Sequence, residues 1–201
     1  MKYKLTLQTK ECYGHTLHRI ECVASFSNVK VGDLGGWIES EDNLSNLGNA
    51  WVYGDALVCG DAKVYDNAKV YGDALVCGDA EVYGNAEVYG NAWVYGNAEV
   101  YGNAEVYGNA EVYGNAEVYG DAKVCGDGDY IVLKNSWSSF RYFTYTASNS
   151  KWSVGCFYGT GEQLIKKAYE DSALSGKCYE ASVRYIEEIE RIKSDVRKIK
   201  K

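Results

Sequence analysis

The chain has 201 residues, with 28 Asp and Glu against 21 Lys and Arg, a net charge of −7, 19 Tyr and no Pro. That acidic balance disfavours a general nucleic-acid binder, which needs a basic face. The seven Cys form no CxxC pair and have no His cluster, which excludes the usual signs of a disulfide framework or a zinc site. With no apolar run long enough to cross a membrane and no cleavable signal, a reducing cytoplasm is the expected compartment.

Residues 1–35 alternate polar and apolar around Tyr13-Gly14, with Tyr3, Leu5, Leu7, Leu17, Ile20 and Val23 as the apolar members. This pattern predicts a β-hairpin cap. In the segment that follows, Ile38, Leu44 and Ala50 keep the six-residue register of the Ala places further on. The repeating body is therefore expected to begin near Gly36, with bulkier inward residues.

From Trp51 the chain reads WVYGDA, LVCGDA, KVYDNA and onward to KVCGDG, 13 hexads without a gap. The second place is Val from Val52 to Val124, and the sixth is Ala from Ala56 to Ala122. Val and the next Ala are an even number of residues apart, so both face inward from an extended chain and the places flanking Val face out. Gly followed by Asn or Asp suits a corner at positive φ. Three such sides close a triangle, so 18 residues make one coil and residues 18 apart stack. An amphipathic helix is excluded, because Val at every sixth place drifts around a 3.6-residue helix. The fold class is mainly β: a parallel β-helix over 36–128, between the cap of 1–35 and a small α+β module over 129–201.

Stacking sorts the outside into three faces. Two carry Lys or Glu beside Tyr, with Lys63 over Glu81, Lys69 over Glu87 and Glu105 under Lys123. The third carries Leu57, Cys59, Leu75, Cys77, Trp93 and Tyr95 with no charge, before Glu111 and Tyr113. Such a stripe predicts a covered surface, and Leu57, Cys59, Leu75, Cys77, Trp93 and Tyr95 are the candidate interface of a homo-oligomer, trimer before dimer. The alternatives are a cover by the chain's own ends or a foreign partner.

Past Gly128 the period stops. Tyr130–Leu133, Phe140–Thr146 and Lys151–Tyr158 read as three strands. Thr160-Gly-Glu-Gln163 is a capping-box signature for a helix through about Ala173. Ser175-Gly176 is expected to break it before a second helix from Cys178 to Lys198, with an apolar stripe of Val183, Ile186, Ile189, Ile192, Val196 and Ile199. In this module Trp137, Arg141, Tyr142, Tyr145, Lys151 and Trp152 combine aromatic and cationic groups and are the candidate partner-binding residues. The competing expectation is that most of them form the module's core.

The hexads resemble the hexapeptide-repeat proteins, whose fold is a left-handed parallel β-helix. The N-terminal stretch, roughly residues 1–56 with its GDLGGWI at 32–38, is similar to the opening of a family of bacterial and phage β-helix proteins of unassigned biochemistry, and the C-terminal module looks like one common in phage proteins of that type. Many hexapeptide-repeat proteins are acyltransferases that use a His beside a loop extruded from the β-helix. The hexads here contain neither loop nor His. His15 and His18 lie in the hairpin, where their spacing turns them to opposite sides. Cys59 and Cys77 stack, with nothing basic expected beside them to activate a thiolate. No catalytic residue, metal ligand or cofactor is expected. The expected function is non-enzymatic: a phage or prophage binding protein, a counter-defence inhibitor of a host protein complex in the bacterial cytoplasm. The alternatives are an oligomeric protein that sequesters a nucleotide signal, and a degenerate acyltransferase.

Overall fold

Val packs inward once per hexad because each hexad forms one side of a triangular coil. The computed structural model describes residues 1–199, and the chain divides into two compact units, 1–130 and 131–201.

In the first unit the hexads form two-residue strands, from β4 (Trp51–Val52), β5 (Leu57–Val58) and β6 (Lys63–Val64) at every sixth residue to β16 (Lys123–Val124). They stack in three parallel sheets with residues 18 apart in register, such as Val70 beside Val88 and Val88 beside Val106. Every Val from Val52 to Val124 and every Ala from Ala50 to Ala122 in these places is fully buried. The result is a parallel β-solenoid of about five turns, rising about 4.8 Å per turn.

The corners explain the Gly. Gly72 sits at φ +73°, and a Cβ there would lie 2.9 Å from the backbone nitrogen of Gly90 in the next coil. One hexad has Asp in that place: Asp66 takes φ 58°, in the left-handed region that Asp tolerates better than most residues.

The first coil departs from the expected register. Ile38 pairs with Val58, and Leu44 bridges to Val64, so both stand in Val places rather than Ala places. The corner at 45–49 is two residues longer than the later ones and absorbs the shift. Ala50 alone of the three keeps an Ala place.

The hairpin comprises β1 (Tyr3–Cys12) and β2 (His15–Cys22), with Tyr13 at φ 49° and Gly14 at φ 85° in the turn. β2 pairs antiparallel with β3 (Leu34–Ile38), and β3 pairs parallel with β5, so the hairpin extends one sheet of the solenoid. Tyr3, Leu17 and Ile20 are buried as expected, whereas Leu7 is fully exposed and Val23 is partly so. A break in strand register between Leu5 and Thr9 accompanies the exposure of Leu7.

The second unit contains an antiparallel sheet. The expected third strand is in fact two, β19 (Lys151–Val154) and β20 (Phe157–Gly159), because Gly155 at φ 56° turns the chain back. With β17 (Tyr130–Lys134) and β18 (Tyr142–Thr146) they lie in sequence order. Helix α1 (Gly161–Asp171) starts on the expected capping box: the Gln163 amide donates to Thr160 Oγ1 and the Thr160 amide to Gln163 Oε1. The break falls at Ser172, not at Ser175-Gly176. Ser172 is extended, and its hydroxyl accepts from the Ser175 amide, which starts α2 (Ala173–Ile199) one turn early. Gly176 serves packing instead, since a Cβ there would lie 2.3 Å from the Tyr169 ring. Val183 and Ile186 of the α2 stripe are buried against the sheet, while Ile192 and Val196 are about half exposed. The side chain of Ile199 lies outside the described residues.

Val88→Asp places an unpaired charge at mid-stack, a cost of several kcal/mol. It is expected to abolish the cooperative urea transition followed by circular dichroism. Glu87→Gln, the outward neighbour, is expected to change stability by less than about 1 kcal/mol. Equal midpoints for the two variants would contradict the inward assignment of Val.

Candidate functional site

Two of the outer faces are regular ladders. Tyr65, Tyr83 and Tyr101 stack face to face at 4.8 Å, as do Tyr71 and Tyr89 at 4.7 Å. Each hydroxyl donates to a Glu of the next coil: Tyr65 to Glu81 at 2.7 Å, Tyr71 to Glu87 at 2.8 Å, Tyr83 to Glu99 at 2.8 Å. Burial first, and the neighbouring carboxylates second, hold these phenols well above their ordinary value. Lys69–Glu87 at 2.9 Å and Lys123–Glu105 at 2.8 Å are ion pairs, as the coil register predicts. At one corner Asn49, Asn67, Asn85, Asn103 and Asp121 form a ladder of side-chain hydrogen bonds of 2.9–3.1 Å. These faces have their polar groups engaged with one another.

The third face differs, and the structure shows what lies over it. The hairpin's base pairs with β3, but its tip runs along the outer side of the stripe. Leu17 of the hairpin is buried with Cys59 and Leu75, and Cys12, Trp37, Leu57 and Cys77 pack around them. The tip reaches further, where the Tyr13 ring meets Trp93 edge-on at 5.9 Å. Of the candidate interface residues, Leu57, Cys59, Leu75 and Cys77 therefore belong to a contact within the chain. Trp93 remains 37% exposed and Tyr113 50% exposed. Tyr95 stacks on Tyr113 at 5.3 Å and donates to Glu111 at 3.1 Å.

Between hairpin tip and stripe lies a cavity of about 330 Å³, open to solvent, lined by Tyr13, His15, Cys59, Leu75, Cys77, Gly78, Trp93 and Tyr95. His15 is fixed there by Glu39, whose carboxylate meets Nδ1 at 2.9–3.0 Å and also accepts from the Gly60 amide at 2.7 Å. The expectation that nothing basic stands beside Cys59 and Cys77 is thereby corrected. The repeat itself supplies no base, but the hairpin brings His15 to them. His18 points elsewhere, its Nδ1 lying 3.3 Å from the carbonyl of Thr6. The hydrogen bond to Glu39, then its charge, raises the His15 pKa above the ordinary value of 6.5. The same bond and the Gly60 amide lower that of Glu39 below 4.5.

In the second unit the aromatic candidates are mostly core. Trp152 and Tyr145 are buried, and Trp137 packs edge-on against Phe143 and Tyr179. Arg141 and Tyr142 are exposed and Lys151 is half-buried. Arg141 lines a cavity of about 410 Å³ with Phe157, Tyr158, Lys167, Asp171 and Tyr179. Lys167 was not singled out in the sequence, where it reads as one more polar residue of an amphipathic helix. Among the described residues no group of three or more His, Cys, Asp and Glu is arranged to hold a metal ion. No described helix is long and apolar enough to cross a membrane.

Compared with protein families, the chain matches the YdcK beta solenoid repeat over residues 80–96, less than one coil. A search of curated proteins finds no match. The similarity agrees with the class that the geometry defines, a β-solenoid repeat protein.

The linkage of the His15–Glu39 pair has a definite sign. His15, with its pKa raised, stabilises the docked hairpin below its ordinary value of 6.5 and ceases to as pH rises through the folded value. Glu39, with its pKa lowered, stabilises it above 4.5 and ceases to as pH falls through its own folded value. The pair thus contributes most between about 4.5 and 6.5 and fades on either side. A proton NMR titration of the His15 ring is expected to show a midpoint above 6.5, which Glu39→Gln moves down toward that value. An unchanged midpoint in that variant would exclude Glu39 as the cause.

Proposed function

We propose that the protein is a non-enzymatic binding protein that uses the solenoid as a stiff support and binds a protein partner at the edge of the hairpin. The observation that carries this reading is a set of exposed rings: Tyr13 and Trp93 line a cavity at the hairpin tip, and Tyr113 stacks on the lining Tyr95, on a face whose first coils the hairpin covers. Aromatic rings held rigidly at a rim are the side chains that dominate protein interfaces. The partner that fits is a basic segment with one apolar side chain. The apolar group enters the cavity, and the cations meet Glu111 and the carboxylate ladders beyond it. Residues 51–128 hold 13 Asp and Glu but only 3 Lys, which favours such a partner and speeds its approach.

The reading extends to a phage or prophage protein acting in the cytoplasm of a bacterial host as a counter-defence inhibitor of a host complex. Its support is the similarity of the GDLGGWI segment to bacterial and phage β-helix proteins. The left-handed coil of the hexapeptide-repeat proteins belongs to the same proposal. Self-association as a trimer or dimer is the competing use of the exposed rings. A second reading, sequestration of a nucleotide signal, is favoured by the cavity where Arg141 and Lys167 stand among Phe157, Tyr158 and Tyr179. There the cations would meet phosphate and a ring would stack on the base.

The test is retention of host proteins on the wild-type chain beside Trp93→Ala, Tyr113→Ala and a double Arg141→Ala, Lys167→Ala variant, with mass measured in solution. A basic partner retained by the wild type, lost from both ring variants and weakened by salt is the expected result. Retention by the ring variants at wild-type level would exclude this surface. A wild-type oligomer that Trp93→Ala dissociates would assign the rings to self-association. A nucleotide carried through purification and lost only from the Arg141, Lys167 variant would favour the second reading.

A further inference from the structure

We propose that Cys77 and Cys59 form a peroxide-oxidisable pair, Cys77 being the thiol attacked first and Cys59 the thiol that closes the disulfide. The inference does not depend on the binding reading. Three features of the geometry support it.

The first is spacing. The pairs Leu57–Leu75 and Val58–Val76 place Cys59 and Cys77 in register on adjacent coils, with the amide of Cys59 donating to Val76 at 3.0 Å and that of Cys77 to Val94 at 2.9 Å. The strand spacing of about 4.8 Å lies within the Cα separation that a disulfide spans, roughly 4.4–6.8 Å. Side chains on stacked places project side by side, so the two sulfurs are neighbours across adjacent coils.

The second is access. Both cysteines border the open cavity, but Cys77 is half-buried whereas Cys59 is only 1% exposed beneath Leu17 of the hairpin. A small oxidant meets the more exposed Cys77 sulfur first, which sets the order of the two steps.

The third is the surrounding charge. His15 lines the same cavity, and its bond to Glu39 favours a proton on the ring, so an imidazole that readily takes up a proton stands near Cys77. The groups facing the pair are His15 and Glu39, with Cys12 from the other hairpin strand. The neighbouring Cys59 thiol first, and the charge of a protonated His15 after it, lower the Cys77 pKa below the ordinary thiol value, while that of Cys59 is raised. The sulfur that meets solvent is therefore the better nucleophile, and its neighbour keeps the proton it later gives up.

The chemistry balances with a peroxide as the oxidant. The Cys77 proton passes to His15, and the thiolate attacks one peroxide oxygen. An S–O bond forms as the O–O bond breaks, the departing oxygen takes the proton back from His15, and the sulfur becomes a sulfenic acid. The Cys59 sulfur then displaces the hydroxyl. An S–S bond forms, the S–O bond breaks, and hydroxide leaves with the Cys59 proton as water. Two thiols and one peroxide give one disulfide, one alcohol or water, and one water.

The experiment uses the full chain, reduced and then exposed to hydrogen peroxide at low molar excess, with peptide mapping under non-reducing conditions. The expected result is a loss of about 2 Da, mapped to Cys59–Cys77, before the exposed Cys125 and Cys156 are modified. Cys59→Ser is expected to stop at a sulfenic acid that dimedone traps on Cys77. His15→Ala is expected to slow cross-linking about tenfold at neutral pH. Oxidation of Cys125 and Cys156 while the wild-type pair stays reduced would overturn the proposal without reference to any variant. A cross-link formed at the wild-type rate in His15→Ala would overturn the role of His15.

Discussion

Each coil of the solenoid donates its backbone N–H groups to the coil that follows: Lys69 to Ala86 at 2.9 Å, Glu87 to Ala104 at 2.9 Å, Glu105 to Ala122 at 2.9 Å. Because these bonds run along the stack, a coil satisfies little of its own backbone beyond corner bonds such as that from Ala86 to Tyr83 at 3.3 Å, and every side must have the length of its neighbours. The six-residue period follows from that requirement, as do the inward Val and Ala and the left-handed corner residues. The ends must also be closed, since the first coil has no predecessor to cover it. Asn43 closes part of the gap, its buried amide donating to the carbonyls of Gly60 and Ala62 while its oxygen accepts from Glu39 and Ser40. Lys2 does similar work at another side, donating to the Ala50 carbonyl at 2.7 Å and lying over the Phe26 ring. Burial lowers the pKa of that ammonium to about 8, a cost that the carbonyls around it offset.

The same in-register stacking makes the outer faces regular, and regular faces use their groups on themselves. Stacked Glu81, Glu99 and Glu117 would repel, and the Tyr hydroxyls that reach Glu81 and Glu99 from the preceding coil reduce that cost. A distinctive site therefore has to arise where an irregular segment meets the repeat. The hairpin is that segment. It covers the charge-free stripe up to Cys77 and places His15 and Tyr13 against it, which the repeat alone cannot do.

Much of the first unit was legible in the sequence, because a residue repeated at a fixed period has a fixed orientation. Val88 is buried and Tyr89 stacked for the reason the hexads gave. The N-terminal register was misread because the extra two residues at 45–49 form no periodic signal, so Ile38 and Leu44 read as Ala-type places. The break at Ser172 was missed for a similar reason: Ser175-Gly176 has the composition of a helix end, but Gly176 is needed by the Tyr169 ring. The cavity was invisible because His15 and Cys77 are 62 residues apart and belong to elements of different period. The stripe's lack of charge did announce a cover, and what lies over it is decided by where the hairpin folds.

The ladder of coil-to-coil hydrogen bonds is tested most directly by amide hydrogen exchange on the native chain. The amides of Tyr71, Glu87, Tyr89 and Glu105 are expected to exchange only through unfolding of the stack, orders of magnitude more slowly than the exposed Tyr13–Gly14 turn. Exchange at those four positions as fast as in the turn would contradict a solenoid held together along its axis.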